Sequence, residues 1–295
     1  MTSLRKRLQN GPALLADGAI GSLLIAAGLK AGECPEQLNL DQPDRISEIA
    51  RRYAEAGAEM VQANTFGASP LKLANYGLEK RTAEINRHAV ELARRGAGAG
   101  VYVYAAIGPC GKLLKPYGDA EPEAVFQSFL RQMRTLIEAG IDAFSIETMI
   151  DAAEAVLAVK AARSVSLQVP VMAALTFDST PRGFYTVMGQ TVAKAAAELS
   201  QAGADVIGSN CGNGSVQMVA LAAEFRRSTA LPLIIQPNAG LPTLEKGRVV
   251  YPETPAFMAE KAAELIVAGV RVIGGCCGTT PEHIHAIRAM LHTAA

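Results

Sequence analysis

Two adjacent cysteines, Cys276 and Cys277, lie between glycines in the stretch GGCCGTTPEHI, and a third, Cys211, follows an apolar run in GSNCG. Adjacent cysteines rarely form a disulfide with each other, because the resulting ring is strained. Zinc binds cysteine sulfur in a tetrahedral arrangement, and a catalytic zinc site keeps one position open. We therefore expect the three sulfurs to hold one zinc ion per chain. Small, half-buried core thiols are the alternative.

Two carboxylates also occupy positions where chemistry is expected. Glu147 ends an apolar run, where a buried carboxylate is costly unless it is paired, and Asp17 ends another. Asp17 could instead cap the helix that follows it. The segment from Gly18 to Gly21 opens this helix, so its backbone N–H groups could accept an anion. Asp178, after a third apolar run, is a further candidate for a polar contact.

A repeated pattern indicates the elements that position these residues. An amphipathic helix, Ala-Gly and a short apolar run occur in YAEAGAEMVQANTF (53–66), IEAGIDAFSIET (137–148), SQAGADVIGSNCG (200–212) and IVAGVRVIGGCCG (266–278). The glycine is placed as a helix C-cap, because glycine adopts the left-handed conformation cheaply. The apolar runs are typical of strands in a buried parallel sheet. Each interval between these glycines has room for two strand-plus-helix units of roughly 30–35 residues.

The remaining strands are found in those intervals. Further apolar runs occur at 13–18, 101–108, 170–177 and 232–238, which brings the predicted strands to eight. Eight alternating strand and helix units predict a single-domain (β/α)8 TIM barrel over residues 1–295. An open doubly wound sheet is the alternative, but no dinucleotide-binding fingerprint follows the first strand. In a barrel, the chemistry belongs at the carboxyl ends of the strands, where all the candidate residues above are found.

The composition is that of an ordinary globular protein. The chain has 28 Lys plus Arg and 28 Asp plus Glu, so it has no net charge that favours nucleic acid or an anionic membrane as a partner. No apolar run approaches the roughly 20 residues that span a bilayer, and the amino terminus does not have the pattern of a secretory signal. Five cysteines in 295 residues do not indicate a disulfide scaffold, so we expect a cytoplasmic, reducing location.

Five motifs together resemble one enzyme family. The stretches DGAIGS, NTFGAS, GSNCG, QPNAG and GGCCGTTPEHI make the chain similar to the homocysteine S-methyltransferase family from about residue 12 to 291. Within that family, the chain looks most like the homocysteine-binding module of cobalamin-dependent methionine synthase. The resemblance implies a (β/α)8 barrel that transfers a methyl group to homocysteine and forms methionine.

The resemblance also implies roles for particular residues. It makes Cys211, Cys276 and Cys277 the zinc ligands and places Asn238 at the metal, as a possible fourth ligand when substrate is absent. Asp17 and Glu147 match residues that hold the amino group of homocysteine. The backbone around Gly18 is then the expected seat of the substrate carboxylate.

Zinc would explain why cysteines are needed. A free thiol has a pKa of about 8.5, and a zinc ion lowers the pKa of a bound thiol so that it ionises. Three protein thiolates leave the metal less electrophilic than histidines would, which favours attack by the substrate sulfur over hydrolysis.

The sequence leaves the methyl donor open. The full-length methionine synthase pattern includes folate-binding, corrinoid-binding and reactivation modules that are not found in this sequence. The donor is therefore expected to be methylcobalamin on a partner protein or a sulfonium, with betaine as a further option. Two alternative functions stay open. One is a phosphate-binding aldolase or isomerase barrel, for which no Schiff-base lysine is found at a strand end. The other is a subunit that presents homocysteine without turning over alone.

Overall fold

Eight parallel strands form a barrel in the computed structural model, which describes residues 3–245 and 248–293. Neighbouring barrel strands follow the order of the chain, the last pairs in parallel with the first, and a bridge between Ala16 and Met60 closes the ring. The strands are β1 Leu14–Leu15, β2 Met60–Ala63, β3 Tyr102–Ile107, β4 Ala143–Met149, β5 Val171–Leu175, β8 Val206–Asn210, β9 Leu233–Gln236 and β12 Val270–Ile273. The predicted barrel and its eight strands are confirmed, and the closure excludes an open sheet.

Helices surround the barrel. In the described part of the chain, the α-helices are α1 Leu4–Gln9, α2 Gly21–Ala26, α3 Leu38–Asp41, α4 Pro43–Glu55, α5 Pro70–Leu73, α6 Thr82–Ala97, α7 Pro122–Glu138, α8 Ala152–Val165, α9 Val192–Ala202, α10 Ser215–Ser228, α11 Pro255–Val267 and α12 Pro281–Thr293. Short 3-10 helices occur at Pro35–Gln37, Ala74–Tyr76 and Glu79–Arg81. None of the helices in these ranges is both long enough and apolar enough to cross a membrane.

Two short antiparallel hairpins are inserted between barrel strands and the helices that follow. Strands β6 Asp178–Thr180 and β7 Gly183–Tyr185 come after β5, and β10 Thr243–Glu245 and β11 Arg248–Val250 come after β9. Both insertions begin where a barrel strand ends. They therefore lie at the carboxyl end of the barrel.

The predicted glycine caps are also confirmed. Gly57, Gly140, Gly203 and Gly269 all have a positive φ, between 83° and 104°, just after α4, α7, α9 and α11. This conformation stops each helix and turns the chain into the next strand within a few residues. The four turns explain why the pattern of helix, glycine and apolar run was readable from the sequence.

The barrel interior is filled at its amino end and open at its carboxyl end. Leu4 and Leu8 of α1 pack with inward-facing strand residues that include Leu14, Met60 and Val272. A second, larger cluster fills the space between the strands and the outer helices. Because α1 covers the amino end, a small molecule can enter the barrel interior only from the face that carries the candidate residues.

Candidate active site

A cavity of about 320 Å³ opens at the carboxyl ends of the barrel strands. Four of the residues that line it lie at or near the last position of a barrel strand, namely Gln62, Glu147, Asn210 and Gln236. The three cysteines predicted to bind metal line the same cavity. Among its described lining residues there is no lysine, arginine or histidine. The wall therefore offers acceptors and sulfur, and it has no side-chain cation to neutralise an anionic substrate.

The structure brings Cys211, Cys276 and Cys277 together. Their Sγ atoms lie within 4.8 Å of one another, with Cys211 and Cys277 sulfurs 3.9 Å apart, and all three residues are half-buried. In residues 3–245 and 248–293, this is the one group of three or more His, Cys, Asp or Glu side chains that could hold a metal ion. The cysteines that follow the sixth and eighth barrel strands thus meet, as the sequence predicted.

Unusual backbone conformations position the cysteines. Cys211 has a φ of 60°, a left-handed conformation that costs a non-glycine residue roughly 1–3 kcal/mol and is typical of functional sites. After the cysteine pair, the chain turns through Gly278 at a φ of 79° and enters α12 at Pro281. At Gly275, a Cβ atom would collide with the side chain of Thr279. The glycines beside the pair are therefore needed for the tight turn that directs two consecutive side chains to one place.

The ionisation of the three thiols is coupled, so that one negative charge on the cluster opposes a second. The thiols of Cys276 and Cys277 donate to Cys211 and hold its pKa well below the usual range. Conversely, the charge and hydrogen bonding of Cys211 raise the pKa of Cys276 and of Cys277. A cluster in which only one sulfur ionises readily needs a cation before all three can be thiolates. Soft thiolate donors of this kind suit zinc.

Polar side chains surround the sulfurs. Asn210 Nδ2 donates to Cys276 Sγ at 3.7 Å and to the hydroxyl of Thr148, while Asn210 Oδ1 accepts from the Thr148 backbone at 2.7 Å. The Asn238 side chain hydrogen-bonds to Cys211, and its Oδ1 is buried without a partner. The hydroxyl of Tyr251 donates to Cys277. Asn238 therefore lies beside the cluster with an unpartnered oxygen, and its role at a metal stays a prediction.

Asp17 lies beneath the cavity and is 1% exposed. Its Oδ1 accepts from the Tyr104 hydroxyl at 2.6 Å and its Oδ2 from the Gln62 backbone at 2.9 Å. Burial raises the pKa of Asp17 to about 7, although these hydrogen bonds oppose the shift. The carboxyl is thus a buried, hydrogen-bonded group, and it does not cap α2, which begins at Gly21.

Glu147 faces the cavity directly. It is 7% exposed, and its Oε1 is buried with no hydrogen-bond partner. Burial raises the pKa of Glu147 to about 8, and the charge of Asp17 adds to the shift. Two buried carboxyls within electrostatic range of each other make this part of the cavity strongly favourable for a cation.

Two other predicted residues are placed differently from the expectation. Asp178 is exposed on the β6–β7 hairpin and does not line the cavity. The backbone oxygen of Gly18 accepts from the Gln62 side chain at 2.8 Å, and the residues of this segment that line the cavity are 19–22. The lining segment thus overlaps the predicted stretch from Gly18 to Gly21, although Gly18 is not part of it, and its role in binding an anion stays a prediction.

Sequence reasoning gave no role to several polar residues that build the site. They are Gln62, Tyr104, Asn210, Gln236 and Tyr251. Three of them alternate with apolar residues that point into the barrel: Gln62 follows Met60, Tyr104 follows Tyr102 and Gln236 follows Ile234 by two positions. Because side chains alternate along a strand, this spacing of two was a signal that could have found them.

Comparisons with known proteins agree on one family. The chain matches the family model described as homocysteine S-methyltransferase over residues 14–291. It is 32% identical over 293 residues to methionine synthase of Mycobacterium leprae, and 32% identical to that of Mycobacterium tuberculosis. Each match covers 94% of this chain and 24% of the relative. The chain therefore spans about a quarter of the length of these relatives.

A solved structure shares the fold. The metallated form of the homocysteine methyltransferase MmuM from Escherichia coli superposes with a TM-score of 0.80 at 24% identity. The match covers 98% of this chain and 99% of that one. The oxidised form of the same protein gives a TM-score of 0.79.

Proposed function

The chain belongs to the homocysteine S-methyltransferase family of enzymes, and on that premise we propose that it transfers a methyl group to the thiol of homocysteine, giving methionine. The family assignment confirms the resemblance that the motifs indicated. One observation carries the proposal: three cysteine sulfurs and the unpartnered carboxylate oxygen of Glu147 line a single cavity. The sulfurs could hold a soft metal, and the Glu147 carboxylate could bind a cation. Homocysteine matches both, because it carries a thiol and an ammonium group.

The metal in this proposal is one zinc ion held by Cys211, Cys276 and Cys277. The close approach of the three sulfurs and their shared negative charge support it, because a divalent cation would let all of them ionise. When bound, zinc lowers the pKa of a fourth thiol and so supplies the substrate sulfur as a thiolate at neutral pH. Asn238, with its unpartnered Oδ1, would be the fourth ligand of the metal when substrate is absent.

The carboxylates orient the amino-acid end of the substrate. Glu147 faces the cavity, and Asp17 contributes a second buried negative group close to it. An ammonium group entering here would compensate charges that are otherwise unfavourable in a buried site. Tyr104 and the Gln62 backbone hold the Asp17 carboxyl in place. The substrate sulfur would then be directed toward the cysteines, which line the same cavity.

The backbone of α2 is proposed to bind the substrate carboxylate. Ile20, Gly21 and Ser22 line the cavity at the first turn of α2, where backbone N–H groups have no partner within the helix. The Ala19 amide is already engaged, since it donates to the Thr279 hydroxyl at 3.1 Å. No side-chain cation is needed at this position, because the partial positive charge of exposed amides attracts a carboxylate.

For the methyl donor, we propose a methylcorrinoid carried by a partner protein, with a small sulfonium as the alternative. Two observations support a protein donor: the similarity to methionine synthases and the distribution of exposed apolar side chains. Most of the large exposed apolar residues lie in segments that follow the carboxyl ends of barrel strands, and they include Ile25, Phe66, Leu113, Tyr117, Leu244 and Val249. A partner that covered this rim would bring its methyl group to the cavity mouth and bury these side chains.

A phosphate-binding function is disfavoured by the cavity itself. A phosphate ester would bring negative charge next to Glu147 and the cysteines, and no lining residue in the described chain is a lysine or arginine. The homocysteine-presenting subunit remains the alternative to an independent enzyme.

A donor screen tests the proposed function. The purified full chain is loaded with zinc and incubated with homocysteine and, separately, methylcobalamin, S-methylmethionine or betaine, and methionine is measured by mass spectrometry. We expect methionine with at least one donor and zinc close to one equivalent per chain. Homocysteine binding without methionine from any free donor would favour the presenting subunit. If the chain neither binds nor methylates homocysteine, the proposed function is wrong.

A further inference from the structure

Two buried oxygens in the cavity have no hydrogen-bond partner. One is Oε1 of Glu147, and the other is Oε1 of Gln236, a residue that is 3% exposed at the end of β9. Both side chains line the cavity. An unpaired buried acceptor is destabilising, because it has lost its hydrogen bonds to water and has formed none within the protein. Two such atoms facing one cavity indicate a ligand that donates hydrogen bonds to them.

The orientation of the Gln236 amide is fixed by its neighbours. The Tyr104 hydroxyl donates its only proton to Asp17 Oδ1 at 2.6 Å, so its oxygen can only accept from Gln236. The amide nitrogen must therefore point to Tyr104, and the oxygen is left facing the cavity. A flipped amide would place two acceptors against each other. The chain of hydrogen bonds from Asp17 through Tyr104 thus sets which atom Gln236 offers to a ligand.

The chemistry of the pair selects the ligand group. Beside a cationic ligand, which favours its ionised form, Glu147 provides an acceptor with negative charge, and Gln236 provides a neutral acceptor. A primary ammonium carries three N–H donors and one positive charge, so it can satisfy both oxygens at once. A hydroxyl has a single proton to donate and cannot compensate the charge of Glu147.

We propose that Gln236 is a substrate-binding residue that accepts a hydrogen bond from the α-ammonium group of the amino-acid thiol, beside Glu147. This inference rests on the proposed function and adds a determinant of substrate choice to it. A site built around a substrate N–H rejects an analogue that lacks it, because its own buried groups then stay unpaired. Gln236 therefore makes the enzyme selective for thiols that carry a free primary amine.

The test compares homocysteine with 4-mercaptobutyrate, which has the same thiol and carboxylate but no amine. Calorimetric titration of the zinc-loaded full chain gives a dissociation constant for each, and their ratio is the preference for the amine. We expect Gln236→Leu to lower this preference roughly 10- to 100-fold, because the neutral acceptor is lost. Binding of 4-mercaptobutyrate should be unchanged or tighter, since the Gln236 oxygen that this ligand leaves unpaired is no longer there.

Two further variants make the result decisive. Gln132→Leu is a matched control: Gln132 is also fully buried with an unpartnered Oε1, but it lies on α7 and does not line the cavity. It should keep the wild-type preference. Gln236→Met removes the same oxygen in a side chain of similar length, so it should show the same loss of preference, and it serves if Gln236→Leu does not fold.

The outcomes separate the two proposals. If folded, zinc-loaded Gln236→Leu or Gln236→Met keeps the full preference for homocysteine, the role of Gln236 is refuted while the proposed function stands. If the wild-type chain binds neither thiol, the proposed function fails first.

Discussion

Cys211 has both a strained backbone and a thiol whose pKa is lowered by hydrogen bonds from Cys276 and Cys277. Its φ of 60° persists although a non-glycine residue avoids this region, and the adjacent Gly212 has a φ of 75°. The same conformation occurs at Thr148, whose backbone and hydroxyl both contact Asn210. The two strained residues end barrel strands that border the cavity. Strain of this kind is retained where it places a functional side chain.

Replacing Cys211 should remove the metal. In Cys211→Ser, the hydroxyl does not ionise at neutral pH. We therefore expect zinc affinity to fall by more than the roughly 10- to 100-fold that is typical when a residue hydrogen-bonded to a metal ligand is lost. Methionine formation should fall with it. Zinc content after dialysis, measured by mass spectrometry, gives the result. Cys110→Ser is the control, because Cys110 is buried outside the cluster. Stoichiometric zinc in Cys211→Ser would contradict the assignment.

Asp17 should make the stability of the metal-free protein depend on pH. Burial raises its pKa from 3.8 to about 7, so the folded state binds more protons than the unfolded state between these values. The contribution of Asp17 to the free energy of unfolding therefore falls as the pH rises from about 4 to 7. The asparagine in Asp17→Asn cannot ionise. The free energy of unfolding of this variant, relative to that of the wild type, should therefore rise by on the order of 2 kcal/mol between pH 5 and pH 8. Urea unfolding at both pH values measures this difference, and a constant difference would show that the carboxyl is not buried as described.

At the scale of elements, the turn from β12 to α12 holds the cysteine pair. The Thr279 hydroxyl donates to the Cys276 carbonyl at 2.7 Å and accepts from the Ala19 amide, so this turn is tied to the segment before α2. Tyr53 of α4 contacts both segments, since its hydroxyl lies 2.8 Å from the Ala19 carbonyl oxygen and 3.2 Å from that of Thr279. The two segments that border the cavity are thus fixed relative to each other.

A methyl group at Gly275 should disturb this turn. In Gly275→Ala, the new Cβ would overlap with Thr279, which is fully buried and cannot move away easily. We expect a lower free energy of unfolding, by roughly 1–3 kcal/mol, together with weaker zinc binding. Gly21→Ala is the control, because a Cβ there meets no atom within 4 Å and alanine favours a helix. Thermal unfolding and zinc content are measured for both variants and compared with the wild type. Equal behaviour would mean that the turn tolerates a side chain.

The sequence predicted the elements well and part of the site. The helix-glycine-strand pattern predicted four strands, and apolar runs in the remaining segments predicted the other four. Both signals are local, because they depend on a left-handed glycine or on a short apolar run. The role of Tyr104 was not predicted, since its contact with Asp17 depends on the register of strands that are far apart in the chain. Asp178 was expected near the cavity, but the hairpin that begins there is an inserted element.

At the scale of the whole molecule, stability and chemistry are separated along the barrel axis. Helix α1 closes the amino end, where Leu8 is 2% exposed and packs with the barrel interior. The cavity, the cysteines and most exposed apolar side chains lie at the other end. Changes at the amino end should therefore affect folding without affecting the site.

Leu8→Ala tests this separation. The cavity it leaves should lower the free energy of unfolding by roughly 2–4 kcal/mol. Zinc content and the dissociation constant for homocysteine should stay at wild-type values below the melting temperature. Leu167→Ala is the surface control: Leu167 is 72% exposed, so its removal should cost no more than about 0.5 kcal/mol. A change in homocysteine affinity in Leu8→Ala would show that the two ends are coupled.

X-ray absorption at the zinc edge tests most directly that three cysteines hold a metal that receives the substrate sulfur. For the zinc-loaded chain alone, we expect three sulfur neighbours at about 2.3 Å and one lighter atom. On addition of homocysteine, the lighter atom should be replaced and the number of sulfur neighbours should rise to four. A spectrum with fewer than three sulfurs, or one that homocysteine leaves unchanged, would contradict this account.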